Sequence, residues 1–240
     1  MLRGRFLLLK KNYFFFFILA LLFAQNSNAT TQGDFQTWFN ATVMGNFKKK
    51  DHARSRFKYW LENQERFGES TTHLTQLLLR PGVGYELTKD LSIWLGYAWI
   101  YTGKPLTTSP YEEDRIWQQL LWVKKFARFT FTSRTRTEQR FLENAPKTAY
   151  RFRQLLKFAI PMKHHPTWSW VFSDEIFIHK NNFIGRPNRG FDQNRAFAGL
   201  GYRFNTQIVG EFGYMNQYIR RVGVPNFCAN IASINLIVNL

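Results

Sequence analysis

The sequence predicts an all-β protein, an antiparallel up-and-down transmembrane β-barrel of 10 to 12 strands. Three observations support this fold class. Apolar and polar residues alternate with period two through most of the chain after residue 30. Short and long connections between the alternating segments also alternate, as they do in outer-membrane barrels. The first residues have the pattern of an export signal.

Residues 1–29 form the predicted signal. Basic residues precede an apolar run over residues 13–24, and Ser27-Asn28-Ala29 has the small-x-small pattern of a cleavage site. This run is short of the roughly 20 residues that a membrane-spanning helix needs, so we expect a cleaved signal peptide rather than an anchor. The mature chain is then one barrel domain over residues 30–240. Its net charge falls from +17 to +13, because the signal holds four of the 33 basic residues and none of the 16 acidic ones.

The composition excludes two other classes. The single cysteine, Cys228, cannot form an internal disulfide, and it rules out a Cys-rich zinc module. A basic chain that is 18% aromatic would ordinarily suggest nucleic-acid binding. Export from the cytoplasm argues against that partner.

The alternation defines eleven candidate strands. In 91–101, Leu91, Ile93 and Leu95 share one face with three aromatic rings, and small residues dominate the other. In 150–160, Phe152 and Phe158 oppose basic residues, and the C-terminal segment alternates up to Leu240. The segments lie near 34–45, 55–66, 74–87, 91–101, 115–123, 128–142, 150–160, 167–179, 194–204, 206–219 and 227–240.

The solvent on each face explains the pattern. A sheet that spans lipid must close on itself and turn apolar side chains outward, whereas its interior can be polar. Trp and Tyr then collect near strand ends, where a ring stays in the apolar layer and its polar atom reaches the headgroups. The expected girdle residues are Trp38, Tyr97, Trp99, Tyr101, Trp168, Trp170, Tyr202, Tyr214 and Tyr218.

The number of strands conflicts with the expected position of the termini. Short connections at 88–90, 124–127, 162–166 and 205–206 alternate with longer ones at 102–114, 180–193 and 220–227. If the C-terminus and the short turns are periplasmic, segment 34–45 would have to descend from outside. Parity therefore disfavours eleven strands. It leaves ten, with 34–45 in the lumen or incompletely paired, or twelve, with one strand hidden.

Charged residues fall on the faces opposite the apolar ones. An Arg at the lipid midplane costs about 2 to 4 kcal/mol, so we expect these charges to line the lumen. There they would form a salt-bridge network that fills and stiffens a narrow barrel. The alternative is a cationic lumen that selects anionic solutes or binds an acidic ligand. The predicted network comprises Arg80, Glu86, Arg134, Arg136, Glu138, Arg140, Arg151, Arg153, Glu175, Arg195, Arg203 and Glu211.

No catalytic constellation is evident. The histidines lie in predicted turns or at strand edges, outside any recognisable lipase motif, and they are His52, His73, His164, His165 and His179. We interpret the acidic run 112–114 as a solvated loop and the lysine run 48–50 as a charged turn. The sequence therefore predicts no enzyme, no cofactor and no metal site.

Several short motifs resemble a known family. They include the run from Arg134 to Phe141, Tyr150-Arg-Phe-Arg153, Asp174-Glu175, the run from Phe191 to Arg195 and the Gly-Leu-Gly-Tyr-Arg-Phe run from Gly199. Together with the segments from Pro81 to Tyr85 and from Glu211 to Gln217, they resemble the bacterial outer-membrane family catalogued as domain of unknown function 2490. The resemblance covers essentially the whole mature chain. It implies an outer-membrane barrel and carries no established activity.

The expected location is the bacterial outer membrane. The expected partners are its lipids and lipopolysaccharide, and the barrel-assembly machinery through the C-terminal strand. Barrels of this kind commonly end in an aromatic residue, whereas this chain ends in Leu240. We expect a structural or surface-interaction role. The alternatives are a small anion-favouring, porin-like channel or acidic-ligand binder and, less favoured, a lipid-modifying enzyme. The oligomeric state is left open.

Overall fold

The computed structural model describes residues 31–48 and 54–240, so the predicted signal peptide, Lys49, Lys50 and His52 lie outside the described residues. Eleven strands make up the described fold. They are β1 (Thr31–Lys48), β2 (Arg54–Gly68), β3 (His73–Glu86), β4 (Leu91–Thr102), β5 (Tyr111–Lys125), β6 (Thr130–Leu142), β7 (Ala149–Pro161), β8 (Trp168–His179), β9 (Gly190–Arg203), β10 (Ile208–Ile219) and β11 (Asn226–Asn239). Within these ranges, no helix has the length and apolarity to cross a membrane.

The strands close into one barrel in which each pairs with its neighbours in sequence, and β1 pairs with β11. Ten of the eleven pairs are antiparallel, and the closing pair is parallel, with Thr31 beside Asn226 and Met44 beside Asn239. An odd number of strands requires this, because strand direction reverses at every turn and the first and last strands then point the same way. The prediction of 10 to 12 strands is confirmed, whereas the expectation of a purely antiparallel sheet is wrong at this seam.

The parallel seam also overturns the parity argument against eleven strands. The argument required β1 to begin at the same end of the barrel as the C-terminus. Instead, Thr31 lies level with Asn226, beside the connection 220–225, and β11 ends at the opposite end. We call the end of the barrel where β1 begins the long-loop end, since it also carries connections 103–110 and 180–189. We call the end where β11 finishes the short-turn end, since it carries connections 87–90, 126–129 and 204–207.

The two faces of the sheet are inverted relative to a soluble protein. Large apolar side chains are exposed on the outside, with Leu61 54%, Val83 55% and Leu95 53% accessible. Polar and charged side chains alternate with them and point into the lumen, where most are buried. This is the arrangement that the period-two pattern predicts for a barrel with an apolar exterior.

Indole rings fill one side of the lumen. Trp60 packs edge-on against Trp94 and Trp117, with ring centroids 5.4 and 6.3 Å apart. The Trp117 ring is fully buried and lies over glycine backbone. A Cβ at Gly96 would lie 2.2 Å from Cζ2 of Trp117, so only glycine fits there. These rings narrow the lumen beside the charged side chains described next.

Two predicted loops are shorter than expected. β5 begins at Tyr111 rather than near residue 115, and β9 begins at Gly190 rather than near 194. The acidic run 112–114 therefore belongs to a strand, and its assignment as a solvated loop is wrong. Glu112 and Asp114 point outward, where they accept hydrogen bonds from Trp99 and Tyr97, whereas Glu113 points inward and is 2% exposed.

Candidate functional site

Glu138 on β6 is the centre of the charged interior. Its carboxylate is 1% exposed and is shared by three arginines from the two neighbouring strands. Oε1 accepts from Nη1 of Arg153 at 2.7 Å and from Nη1 of Arg115 at 3.3 Å. Oε2 accepts from Nε and Nη2 of Arg151 at 2.9 and 2.7 Å. One buried carboxylate thus ties β5, β6 and β7 together through charge-assisted hydrogen bonds.

A second shared carboxylate lies nearer the long-loop end. Glu113 on β5 accepts from Nε and Nη2 of Arg140 at 2.8 and 2.7 Å, a bidentate pair. It also accepts from Nε of Arg115 at 2.8 Å. Because Arg115 bonds Glu113 and Glu138 together, the two centres form one connected array.

The array extends to β8, and further ion pairs lie elsewhere in the lumen. Glu175 on β8 pairs with Arg153 at 2.8 Å and with Arg134 at 2.9 Å. Across the lumen, Glu62 on β2 pairs with Arg80 on β3 at 2.6 Å. Nearer the short-turn end, Lys157 on β7 bridges to Glu211 on β10 at 2.6 Å. Two of these contacts, Arg134 with Glu175 and Lys157 with Glu211, join strands that are not neighbours, so they brace the barrel across its interior.

Asp192 connects the array to the long-loop end. A bulge between β8 and β9 turns this carboxylate inward, where it pairs with Nη1 of Arg151 at 3.1 Å and Nε2 of His179 at 3.2 Å. The His179 ring packs against Phe183 in the connection that follows, and its Nδ1 is buried without a partner. In the neighbouring connection, burial lowers the pKa of the Arg221 guanidinium below its ordinary value.

Three interior arginines differ from the rest. Within the described ranges, Arg66, Arg136 and Arg195 have no carboxylate at salt-bridge distance. Arg66 donates instead to Gln76 at 2.6 Å and to Gln64. Arg136, which is fully buried, donates from Nε and Nη2 to Gln119 at 2.9 and 2.6 Å.

Among the described residues, the polar neighbour of the Arg195 guanidinium is the side-chain amide of Gln217, 3.2 Å from Nε and Nη2. Arg66 and Arg195 also contact the ring of Trp38, at 3.9 and 4.9 Å from the centroid.

These side chains form what we call the luminal charge network. Its nine cations outnumber its five carboxylates, which leaves an excess of four positive charges if all are ionised. The members are Arg66, Arg80, Arg115, Arg134, Arg136, Arg140, Arg151, Arg153 and Arg195 with Glu62, Glu113, Glu138, Glu175 and Asp192.

The network divides the lumen into two cavities. The lower cavity, of about 350 Å³, extends toward the short-turn end, and the upper one, of about 180 Å³, extends toward the long loops. Arg66, Arg80, Arg153 and Arg195 line both cavities. These four side chains therefore lie between the two cavities.

The structure joins six of the twelve residues predicted for the lumen, directly or through Glu113 and Arg115: Arg134, Glu138, Arg140, Arg151, Arg153 and Glu175. Arg80 and Arg136 are also buried in the lumen, where Arg80 pairs with Glu62 and Arg136 donates to Gln119. Arg195 lies beside them without a carboxylate, and Glu211 pairs with Lys157 nearer the short-turn end. Glu86 lies 3.9 Å from Lys58 at the end of β3, and Arg203 is exposed at the end of β9. Neither belongs to the network.

Sequence reasoning missed five network members. Glu62 and Arg66 alternate with outward-facing residues in segment 55–66, so the period-two pattern predicts that both point into the lumen. Glu113 was missed because the start of β5 was placed too late, whereas Arg115 is the first residue of the predicted segment 115–123. Asp192 was missed because it lay in the predicted connection 180–193, and its inward direction also depends on the bulge opposite Phe177 and Ile178.

The described residues contain no group of three or more His, Cys, Asp or Glu side chains arranged to hold a metal ion. His73 pairs with Glu69 at 3.0 Å and His179 with Asp192, whereas His164 and His165 lie in the turn between β7 and β8. The interior instead presents arginine side chains in excess over carboxylates.

Comparisons with known proteins agree with this description. An uncharacterised protein of Methylorubrum extorquens is 31% identical over 209 residues, which cover 85% of this chain and 87% of that protein. No solved structure matches the chain. The model of the family described as protein of unknown function DUF2490 matches residues 35–227. The chain, an all-β barrel with a buried arginine-rich interior, therefore belongs to the DUF2490 family.

Proposed function

We propose that this protein is a bacterial outer-membrane barrel with a closed lumen, which serves as a structural or surface-interaction element rather than as an open pore. The observation that carries the proposal is the luminal charge network between the two cavities. The outward apolar face supports the membrane location, because a soluble protein rarely leaves so much contiguous apolar surface in water.

The network favours closure over conduction. A pore that conducts anions needs side chains that bind an ion weakly enough to release it. Here Glu138 on β6 and Glu175 on β8 hold Arg153 from two sides at 2.7 and 2.8 Å, so the position of that side chain is fixed. The indole cluster around Trp117, on β2, β4 and β5, fills another part of the interior. Both features leave the interior filled with side chains that have few alternative positions.

Two measurements test the proposal. The protein should fractionate with outer membranes and migrate faster on a gel before boiling than after it, as closed barrels do. The purified protein should give no steady single-channel current in a planar bilayer. Recovery in the soluble periplasm would refute the location, and a reproducible anion-selective current would refute closure in favour of the porin-like alternative.

A matched pair of variants sharpens the conductance test. Glu138→Gln removes the charge that holds three arginines, whereas Glu143→Gln changes an exposed carboxylate in the connection after β6. If the network closes the lumen, Glu138→Gln should raise the frequency of transient currents and Glu143→Gln should not. Equal currents from the two variants would mean that the network does not close the passage.

A further inference from the structure

The lower cavity has an uncompensated cationic wall at its inner end. Arg66 is 5% exposed and lines the cavity, as does Arg195, and neither has a carboxylate within salt-bridge distance in the described ranges. Buried charges of one sign repel one another far more strongly than charges in water, since the effective dielectric constant is lower. The excess positive charge at this wall is thus an attractive site for an anion.

The hydrogen-bonding state of these arginines supports the same conclusion. Nε of Arg66 and Nε of Arg80 are buried without an acceptor, although buried guanidinium donors are normally satisfied. Arg80 donates from Nη1 to Glu62, so its charge is compensated, whereas its Nε–H still has no acceptor. A group with several acceptor oxygens, such as a carboxylate or a phosphate, supplies both the missing charge and the missing acceptors.

The remainder of the cavity is suited to an apolar group. Toward the short-turn end, the wall is formed by Met44, Val123 and Ile237, near the ends of β1, β5 and β11. Leu121 and Leu155 lie between this mouth and the arginines. A volume of about 350 Å³ is within the range of small-molecule pockets, at its lower limit. The cavity therefore has a cationic inner end and an outer part in which apolar side chains lie beside the Lys157–Glu211 pair.

We propose that the lower cavity binds an amphipathic organic acid, with its oxyanion group against Arg66 and Arg195 beside Trp38 and its apolar body toward the short-turn mouth. The cations that line the cavity outnumber its carboxylates by six to three, Lys157 and Glu211 included, so an acid is favoured over a neutral or basic ligand. The site requires a barrel with this interior. It does not require that the lumen be closed, so it can fail or succeed independently of the proposed function.

Calorimetry on the protein purified in a non-ionic detergent tests the site. The probes are octanoate and octyl phosphate, which separate a carboxylate source from a phosphate source, with octanol and inorganic phosphate as comparisons. We expect saturable one-to-one binding of at least one of the two acids and none of octanol. Inorganic phosphate should bind more weakly than octyl phosphate, because it has no apolar body.

Two variants localise the binding. Arg66→Gln and Arg195→Gln should each raise the Kd of the bound acid about tenfold or more, the ratio expected for losing a charge-assisted hydrogen bond. Neither leaves a carboxylate unpaired, so both should fold, and heat-modifiable migration checks this. Arg203→Gln is the matched control on the same strand as Arg195, since Arg203 is exposed at the end of β9. It should bind as the wild type does.

The results that would overturn the proposal are distinct from a failed conductance test. Absence of saturable binding of both acids to the wild-type protein would overturn it even if neither variant folded. Binding that Arg66→Gln and Arg195→Gln leave unchanged would also overturn it. Inorganic phosphate that binds as tightly as octyl phosphate would refute the amphipathic assignment and leave a simple anion site.

Discussion

Replacing Glu138 by glutamine is the sharpest test of how the interior stabilises the barrel. The substitution keeps the shape of the side chain and one acceptor oxygen but removes the charge. It also places an N–H₂ group against guanidinium donors, since both carboxylate oxygens of Glu138 accept from arginine: Oε1 from Arg153 and Arg115, and Oε2 from Arg151. Whichever way the amide is oriented, at least one arginine faces a donor.

The magnitude follows from the burial of all four groups. Glu138 is 1% exposed and its arginine partners are 4 to 6% exposed, so water cannot replace the lost acceptor. Breaking a buried ion pair by removing one partner costs about 3 to 5 kcal/mol, because the remaining charge stays in a medium of low dielectric constant. We therefore expect Glu138→Gln to lower the free energy of unfolding by about 3 to 5 kcal/mol.

The assay is reversible urea unfolding in lipid vesicles, followed by tryptophan fluorescence and by heat-modifiable migration. Glu143→Gln is the control, an exposed carboxylate whose loss should change the free energy of unfolding by about 0.5 kcal/mol or less. A decrease below about 1 kcal/mol for Glu138→Gln would refute the reasoning. It would mean that the three arginines find other acceptors or water when the carboxylate charge is removed.

Three further predictions concern the sheet, the outer face and the remaining ion pairs. Gly96→Ala should cost about 1 to 3 kcal/mol in the same unfolding assay, because its Cβ would lie 2.2 Å from the Trp117 ring, whereas Gly33→Ala, with nothing within 4 Å, should be near neutral. Leu95→Arg, at an outward position 53% exposed, should lower the free energy of unfolding in vesicles by about 2 to 4 kcal/mol; a neutral effect would argue against contact with lipid. Arg153→Gln removes one partner from Glu138 and one from Glu175, whereas Arg66→Gln removes a partner from no carboxylate, so Arg153→Gln should lower the free energy of unfolding more than Arg66→Gln does. Equal losses of stability would contradict the assigned pairing.

The sequence predicts the placement of most of the fold and of nine of the fourteen members of the luminal charge network. The period-two alternation locates all eleven strands, since the apolar outer face and the polar lumen take opposite side chains on alternate residues. It also turns Arg136, Glu138 and Arg140 inward together, because they are two residues apart on one strand. The ends of strands are less well predicted, as the early start of β5 at Tyr111 illustrates.

Features that depend on several strands at once were not predictable in the same way. The inward turn of Asp192 depends on a bulge between β8 and β9 and is not encoded by a run of alternating residues. The shared use of Glu138 by Arg115 and Arg151 depends on the register of three strands. The absence of a carboxylate beside Arg66 is likewise visible only once β2 and β9 face each other across the lumen.

The sequence by itself predicted an all-β barrel with an apolar outside and an arginine-rich inside, because each of these follows from local order along one strand. Only the tertiary structure decided that eleven strands close through a parallel seam between β1 and β11. It also decided which arginines have carboxylate partners and which face a cavity without one. The physical reason is that closure, register and ion pairing are relations between residues far apart in the chain, and alternation along a strand specifies only which face each residue occupies.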